Sequence, residues 1–159
     1  MLKKEQFVQL AQQYMDTIFR LAFSYLKSRP DADDVTQTVL LRLYQSDKDF
    51  QSDCHLKHWL IRVTINECKK YWRSPWRRTE DLSDYINSLT FEEPRENDLL
   101  EAVLALDTKY RIIIYLYYYE GYTVEEIAEL LKLPQGTVGT RLKRARERLR
   151  KNLSEEAST

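Results

Sequence analysis

The chain has 159 residues, enough for one compact domain or two small ones. Its apolar content is ordinary and 31% of its residues are charged, which describes a globular, soluble chain and excludes a disordered one. Three glycines and four prolines are too few for a strand-and-turn architecture, so an all-α fold is expected.

The formal net charge is zero, but the charge is blocked along the chain. Basic residues dominate from Lys57 to Arg78, where Glu67 is the only acid. Acids dominate from Glu80 to Asp107. From Lys132 to Lys151 the balance is basic again, with Glu147 the lone acid. Two basic zones separated by an acidic one predict two polyanion-binding surfaces.

Met1 to Lys4 leads directly into an amphipathic segment, so no signal peptide is expected. No apolar run approaches the roughly 20 residues that span a bilayer. The first element runs from about Lys3 to Lys27, with Phe7, Leu10, Ala11, Tyr14, Ile18, Leu21, Ala22 and Tyr25 at helical spacing. Ser28-Arg29-Pro30-Asp31 is expected to break it, because proline disfavours helix just before it. A second helix is expected over Ala32 to Gln45, with Asp31, Asp33 and Asp34 at the positive end of its dipole. Ser46 to Asp53 reads as a polar loop. A third helix, from about Cys54 to Trp72, carries Leu56, Leu60, Val63 and either Glu67 or Cys68 along one side.

Pro75 and Pro94 bound a stretch without sustained period, within which Leu82, Tyr85, Ile86 and Leu89 suggest one short docking helix. Beyond it Leu99, Leu100, Val103, Leu104 and Leu106 mark a helix, Ile112 to Tyr119 the next, Thr123 to Leu131 a third and Gln135 to Lys151 a fourth. The expected organisation is a helical bundle over residues 1–74, a linker over 75–95 and a four-helix domain over 96–153. Cys54 and Cys68 form no disulfide framework and read as free thiols in a reducing cytosol. Cys54, His55 and His58 lie close together, but no fourth ligand accompanies them, so no metal site is expected.

The strongest local signal is Thr123 to Arg150. Thr123-Val-Glu-Glu126 is a capping box. Ile127, Ala128 and Leu131 give the short helix after it a buried side. Pro134 in the turn Lys132 to Gly136 fits a helix start, where its missing donor costs nothing. In the last helix Val138, Leu142, Ala145 and Leu149 cluster on one side. Thr140, Lys143, Arg144 and Glu147 face away, with Gly139, Arg146, Arg141 and Arg148 on the shoulders. This is a helix-turn-helix whose second helix is suited to a major groove: the central face for base edges, the shoulders for phosphates.

Two stretches, Tyr117 to Glu129 and Leu133-Pro-Gln-Gly-Thr-Val-Gly-Thr-Arg-Leu-Lys-Arg-Ala-Arg146, resemble the promoter-binding domain of extracytoplasmic-function (ECF) RNA polymerase sigma factors of the sigma-70 family. The N-terminal half resembles the same family. Asp31 to Tyr44 is similar to its second helix, and Leu56, Trp59, Leu60, Val63 and Asn66 match its F-x-x-W-L-x-x-I-x-x-N signature, with leucine for the aromatic. The resemblance covers nearly the whole chain, in order.

It implies a bundle of the sigma region 2 type and a helix-turn-helix domain of the region 4 type. Asp34, Gln37, Leu41, Arg42 and Tyr44 would dock on core RNA polymerase. His55, Lys57, Trp59, Arg62, Asn66, Lys69, Lys70 and Arg73 would bind and hold the opened −10 element. Thr137, Gly139, Thr140, Arg141, Lys143, Arg144, Arg146 and Arg148 would bind the −35 duplex. Holding melted DNA needs cations plus flat side chains, and Trp59, Tyr71, Trp72 and Trp76 are candidates; stacking contributes about 1–3 kcal/mol per base. For Trp59, core filling beside Leu56, Leu60 and Val63 is the stronger reading. Tyr115, Tyr117, Tyr118 and Tyr119 read first as a helix with one buried and one partly exposed aromatic side.

The family often has a carboxylate where this chain has Thr38, and a long basic or polar side chain where it has Gly139. Gly139 leaves two readings, close approach of backbone to DNA or a missing contact. The resemblance also implies a cytoplasmic protein and an anti-sigma partner, often membrane-bound. Two rivals remain from the residues alone: a dimeric helix-turn-helix regulator that binds a palindrome unaided, and an interaction protein that binds no DNA. No Gly-rich phosphate loop or nucleophile–base pair is present, so neither catalysis nor a cofactor is expected. The polymerase would perform the chemistry.

Overall fold

A computed structural model describes residues 2–72 and 94–157. The chain divides into two compact units, Met1–Thr79 and Glu80–Thr159, and every element described is helical. Residues 75–93 of the expected linker, with Trp76 and Leu82 to Leu89, and also Arg73, lie outside the described residues; its last two, Pro94 and Arg95, open the first helix of the C-terminal unit.

In the N-terminal unit α1 spans Lys4–Leu26 and buries Tyr14, Ile18, Leu21, Ala22, Phe23 and Leu26. It stops at Lys27, whose left-handed backbone lets its N–H reach the Phe23 carbonyl at 2.8 Å. Only Lys27 and Ser28 separate it from α2, Arg29–Gln45. The break expected over Ser28 to Asp31 is present but shorter: α2 begins at Arg29 rather than Ala32, and Pro30 sits inside its first turn. A missing N–H there removes no helical bond. Ser28 is the N-cap, accepting from the Asp31 N–H at 3.3 Å. Helix α3, Asp53–Trp72, starts on a second serine cap, with the His55 N–H donating to Ser52 Oγ at 3.1 Å.

Helices α1, α2 and α3 pack on one another. Because α3 is covered from two sides, its buried face is wider than one stripe: Leu56, Leu60, Ile61, Thr64, Ile65 and Cys68 are buried. Val63, expected on that stripe, is only half-buried. Thr64 is accommodated by donating to the Leu60 carbonyl at 2.6 Å.

Three phenols in this unit are held above the ordinary tyrosine pKa. For Tyr14 the cause is burial, then the Asp53 charge. For Tyr25 it is burial, then Cys68. For Tyr71 it is burial, then the Asp34 and Asp31 carboxylates, with a hydrogen bond to Asp34. Below about pH 10 the folded and unfolded chains both keep these protons, so stability is unaffected. Above that pH the unfolded chain releases protons that the fold retains, and stability falls. An alkaline titration followed by tyrosinate absorbance should contain a late class of tyrosines that titrates normally in denaturant. A single class under both conditions would contradict the assignment.

In the C-terminal unit α4 spans Pro94–Ala105, α5 Thr108–Ile114, α6 Val124–Leu131 and α7 Gln135–Ala157. A π-helical turn, Tyr115–Tyr119, extends α5. The core is Ala102, Leu104, Leu106, Tyr110, Ile112, Ile113, Ile114, Leu116, Ile127, Ala128, Leu130, Val138, Leu142 and Ala145. Two expectations shift here. Leu99 is 51% exposed, and Leu106 lies beyond the end of α4. In α6 the third buried residue is Leu130, a step of three from Ile127, and Leu131 is half-buried.

Arg111 is 2% exposed, an unusual place for a guanidinium. Its Nη1 donates to the Leu106 carbonyl at 2.6 Å and the Leu104 carbonyl at 3.4 Å, and its Nη2 to Thr108 Oγ1 at 3.0 Å. It thus caps the C-terminal end of α4, where orphan carbonyls and the negative end of the dipole favour a cation.

Candidate nucleic-acid interface

The helix-turn-helix is built by local bonds. Thr123 Oγ1 accepts from the Glu126 N–H at 3.1 Å while Glu126 Oε1 accepts from the Thr123 N–H at 3.0 Å, so the capping box forms. Helix α6 closes at Lys132, with φ of 57°, and the Leu133 N–H reaches back to the Ala128 carbonyl at 2.9 Å. Pro134 then leads into α7, its carbonyl accepting from the Val138 N–H at 3.2 Å.

Helix α7 packs on α4, α5 and α6. Val138, Leu142 and Ala145 are buried and Leu149 half-buried. Thr140, Lys143, Arg144 and Glu147 are exposed, and Thr137, Gly139 and Arg141 are half-exposed. A Cβ at Gly139 would meet nothing within 4 Å, so the fold itself does not require glycine there.

The cations of α7 are not equivalent. Among the described residues no hydrogen bond or ion pair engages the side chains of Arg141, Lys143 or Arg144. Arg146 is held: its guanidinium lies 5.3 Å from the Tyr117 ring centroid and 5.4 Å from that of Tyr118, and its Nε donates to the Tyr118 hydroxyl. Arg148 lies 4.6 Å over Tyr110 and 3.7 Å from the Asp107 carboxylate. The π-helical turn supplies the first pair of rings. Within it Tyr115 is buried and donates to Glu120 at 2.8 Å, whereas Tyr118 and Tyr119 are more than half exposed. Gly121, at φ of 75°, releases the chain toward α6.

In the N-terminal unit, Asp34, Gln37, Leu41 and Arg42 are exposed along α2, with Leu41 at 54%. Tyr44 is half-buried, edge-on to Phe7 at 5.0 Å. Thr38 donates its hydroxyl to the Asp34 carbonyl at 3.0 Å, so its side chain bonds its own helix. Two of these residues act on or with α3: Arg42 pairs with Glu67 at 2.7 Å, and the Asp34 carboxylate helps hold the Tyr71 phenol above its ordinary pKa.

On α3 and the loop before it, Asn66 and Lys70 are exposed and Lys57, Lys69 and Arg62 half-exposed. Arg62 Nη2 lies 3.5 Å from His58 Nε2. Trp59 is half-buried rather than a core residue. Phe50, from the loop, meets its ring edge-on at 5.3 Å and His55 at 5.6 Å, and Lys48 Nζ lies 5.9 Å from the indole. His55 also accepts from the Gln51 N–H at 3.3 Å through Nδ1. Sequence reasoning did not single out Phe50, whose signal was its place as the one aromatic in a polar loop.

Family comparisons give the two units their relationship. Residues 10–78 match Sigma-70 region 2 and residues 96–149 match Sigma-70, region 4. The chain is 30% identical to the ECF RNA polymerase sigma factor SigW of Bacillus subtilis, over 94% of this chain and 90% of that protein. This chain belongs to the ECF sigma factors of the sigma-70 family. The ECF RNA polymerase sigma-E factor of Haemophilus influenzae is 31% identical, over 91% of this chain and 85% of that protein.

Two solved structures share the fold. The sigma factor RpoE in complex with the anti-sigma factor NepR, from Bartonella quintana, aligns with a TM-score of 0.70 at 22% identity, covering 94% of this chain and 98% of that one. CnrH in complex with the cytosolic domain of CnrY aligns with a TM-score of 0.68 at 24% identity, over 96% and 90% of the two chains. As a sigma factor the chain is a specificity subunit that serves promoter-specific transcription initiation by RNA polymerase. The region 2 match contains the candidate residues on α2 and α3, and the region 4 match those on α7. Among the described residues no helix is long and apolar enough to cross a membrane, and no three His, Cys, Asp or Glu side chains are grouped to hold a metal.

Proposed function

We propose that this sigma factor reads the −35 element as duplex through α7 and binds and holds the −10 element through α3, while α2 docks on core polymerase. The observation that carries the reading is the outward face of α7, where Thr140, Lys143 and Arg144 stand exposed, without a side-chain partner among the described residues, beside a buried Val138–Leu142–Ala145 edge. Base reading needs donors that are not already satisfied, and arginine's fork suits guanine. Thr137, Gly139 and Arg141 flank that face. Arg146 and Arg148, steadied by tyrosines, offer their remaining donors to phosphates.

Around the −10 strand, Lys57, Arg62, Asn66, Lys69, Lys70 and Arg73 supply cations and polar contacts, with His55 and Trp59 on the Phe50 side as the flat surface. Asp34, Gln37, Leu41, Arg42 and Tyr44 form the polymerase-docking face. The working organisation is residues 1–74 for polymerase and −10 binding, 75–95 as linker and 96–153 for −35 binding. RpoE and CnrH were each solved with a partner bound, one of them an anti-sigma factor. An anti-sigma factor that holds this chain in the cytoplasm, or at the membrane by its own anchor, is proposed by analogy.

Transcription from a promoter library with purified core polymerase tests the reading. The expected result is initiation only when core and this chain are both present, at promoters sharing a −35 and a −10 motif. Tight, specific duplex binding by the chain without core would replace it with an independent dimeric regulator.

A further inference from the structure

Glu67 is the one carboxylate in the basic block of α3, and it is 7% exposed. A carboxylate taken out of water persists only when it is paired and hydrogen-bonded. Here a single oxygen serves two cations on two surfaces: Oε1 lies 2.7 Å from Arg42 Nη2, on α2, and 3.0 Å from Lys70 Nζ, on α3. The partners are half in solvent, with side chains 50% and 58% exposed. Each therefore keeps donors free for an outside ligand after bonding Glu67.

Arg42 and Lys70 are long, rotamer-rich side chains, and left alone each would lose that freedom on binding. Fixing them beforehand on a buried anchor removes part of that cost. We propose that Glu67 is a positioning residue that sets Arg42 for core polymerase and Lys70 for the opened promoter strand. One carboxylate thereby ties the two functional surfaces of this unit together. The inference rests on the proposed roles of α2 and α3.

Glu67→Asp is the informative variant, because it keeps the charge and withdraws the carboxylate by one methylene. Neutralising the residue would also relieve repulsion toward phosphates and mix two effects of opposite sign. With full-length protein and purified core, Glu67→Asp should weaken core capture by about threefold to tenfold and shorten the promoter-complex lifetime by a similar factor. The loss in core capture should vanish in an Arg42→Ala background, and the loss in lifetime in a Lys70→Ala background, as coupled pairs require. A general packing defect would persist in both backgrounds, and a thermal melt of each variant reports it separately. Wild-type values for Glu67→Asp, or losses undiminished in the two backgrounds, would overturn the positioning role. If Arg42→Ala and Lys70→Ala are themselves silent, the assignment of the two surfaces fails and takes this inference with it.

Discussion

Arg144→Ala is expected to weaken −35 binding by about 1–3 kcal/mol and to flatten sequence preference at one or two positions of the element. The residue stands at the middle of the exposed face of α7 with no internal partner among the described residues. Its guanidinium is therefore available for a bidentate contact to a base edge. Arg141, half-exposed on the shoulder, serves as the contrast. Its replacement by alanine should lower affinity almost evenly across sequences and reduce the salt slope by about one unit, as for one lost phosphate contact. Binding titrations over a set of −35 duplexes at several salt concentrations separate the two. An Arg144→Ala protein with an unchanged preference would place base reading on another face of α7.

The largest effect on stability is expected at Arg111. Arg111→Met keeps most of the side-chain bulk but leaves the Leu104 and Leu106 carbonyls without their donor. Buried acceptors that lose a charged partner cost about 2–4 kcal/mol in such a site. The loss falls on the C-terminal unit, since Arg111 joins the end of α4 to the start of α5. Chemical denaturation of the variant should move the midpoint of that unit and weaken −35 binding only through the unfolded fraction. A midpoint within error of wild type would mean that water replaces the guanidinium at no cost, contrary to its burial.

The helix-turn-helix was legible because its signals are local. A capping box, a short apolar row, a proline turn and a long helix with one buried edge each depend on neighbours within a turn or two. The expected start of α2 was misplaced for a related reason: Pro30 stops a helix that precedes it but also suits the first turn of one that follows, and only the Ser28 cap distinguishes the two. The buried face of α3 was read too narrowly, as Val63 in place of Ile61 and Ile65. A period reports the direction of a face, whereas its width depends on how many helices cover it.

By itself the sequence determined an all-helical chain in two basic modules, the order of its helices and the family to which it belongs. The helices and their order follow from composition, 3.6-residue periodicity and cap chemistry, which act over a few residues, whereas the family was legible only through the resemblance of motifs such as Leu133 to Arg146 and Leu56 to Asn66. Only the tertiary structure decided which cations of α7 are engaged by other described residues. Arg144 and Arg146 look equivalent along α7, yet Arg146 is held by Tyr118, 28 residues earlier in the chain. Arg42 and Lys70 likewise acquire a common anchor because α2 packs against α3. Such pairings depend on which side chains packing brings within a few ångströms, and no periodicity in the sequence encodes that distance.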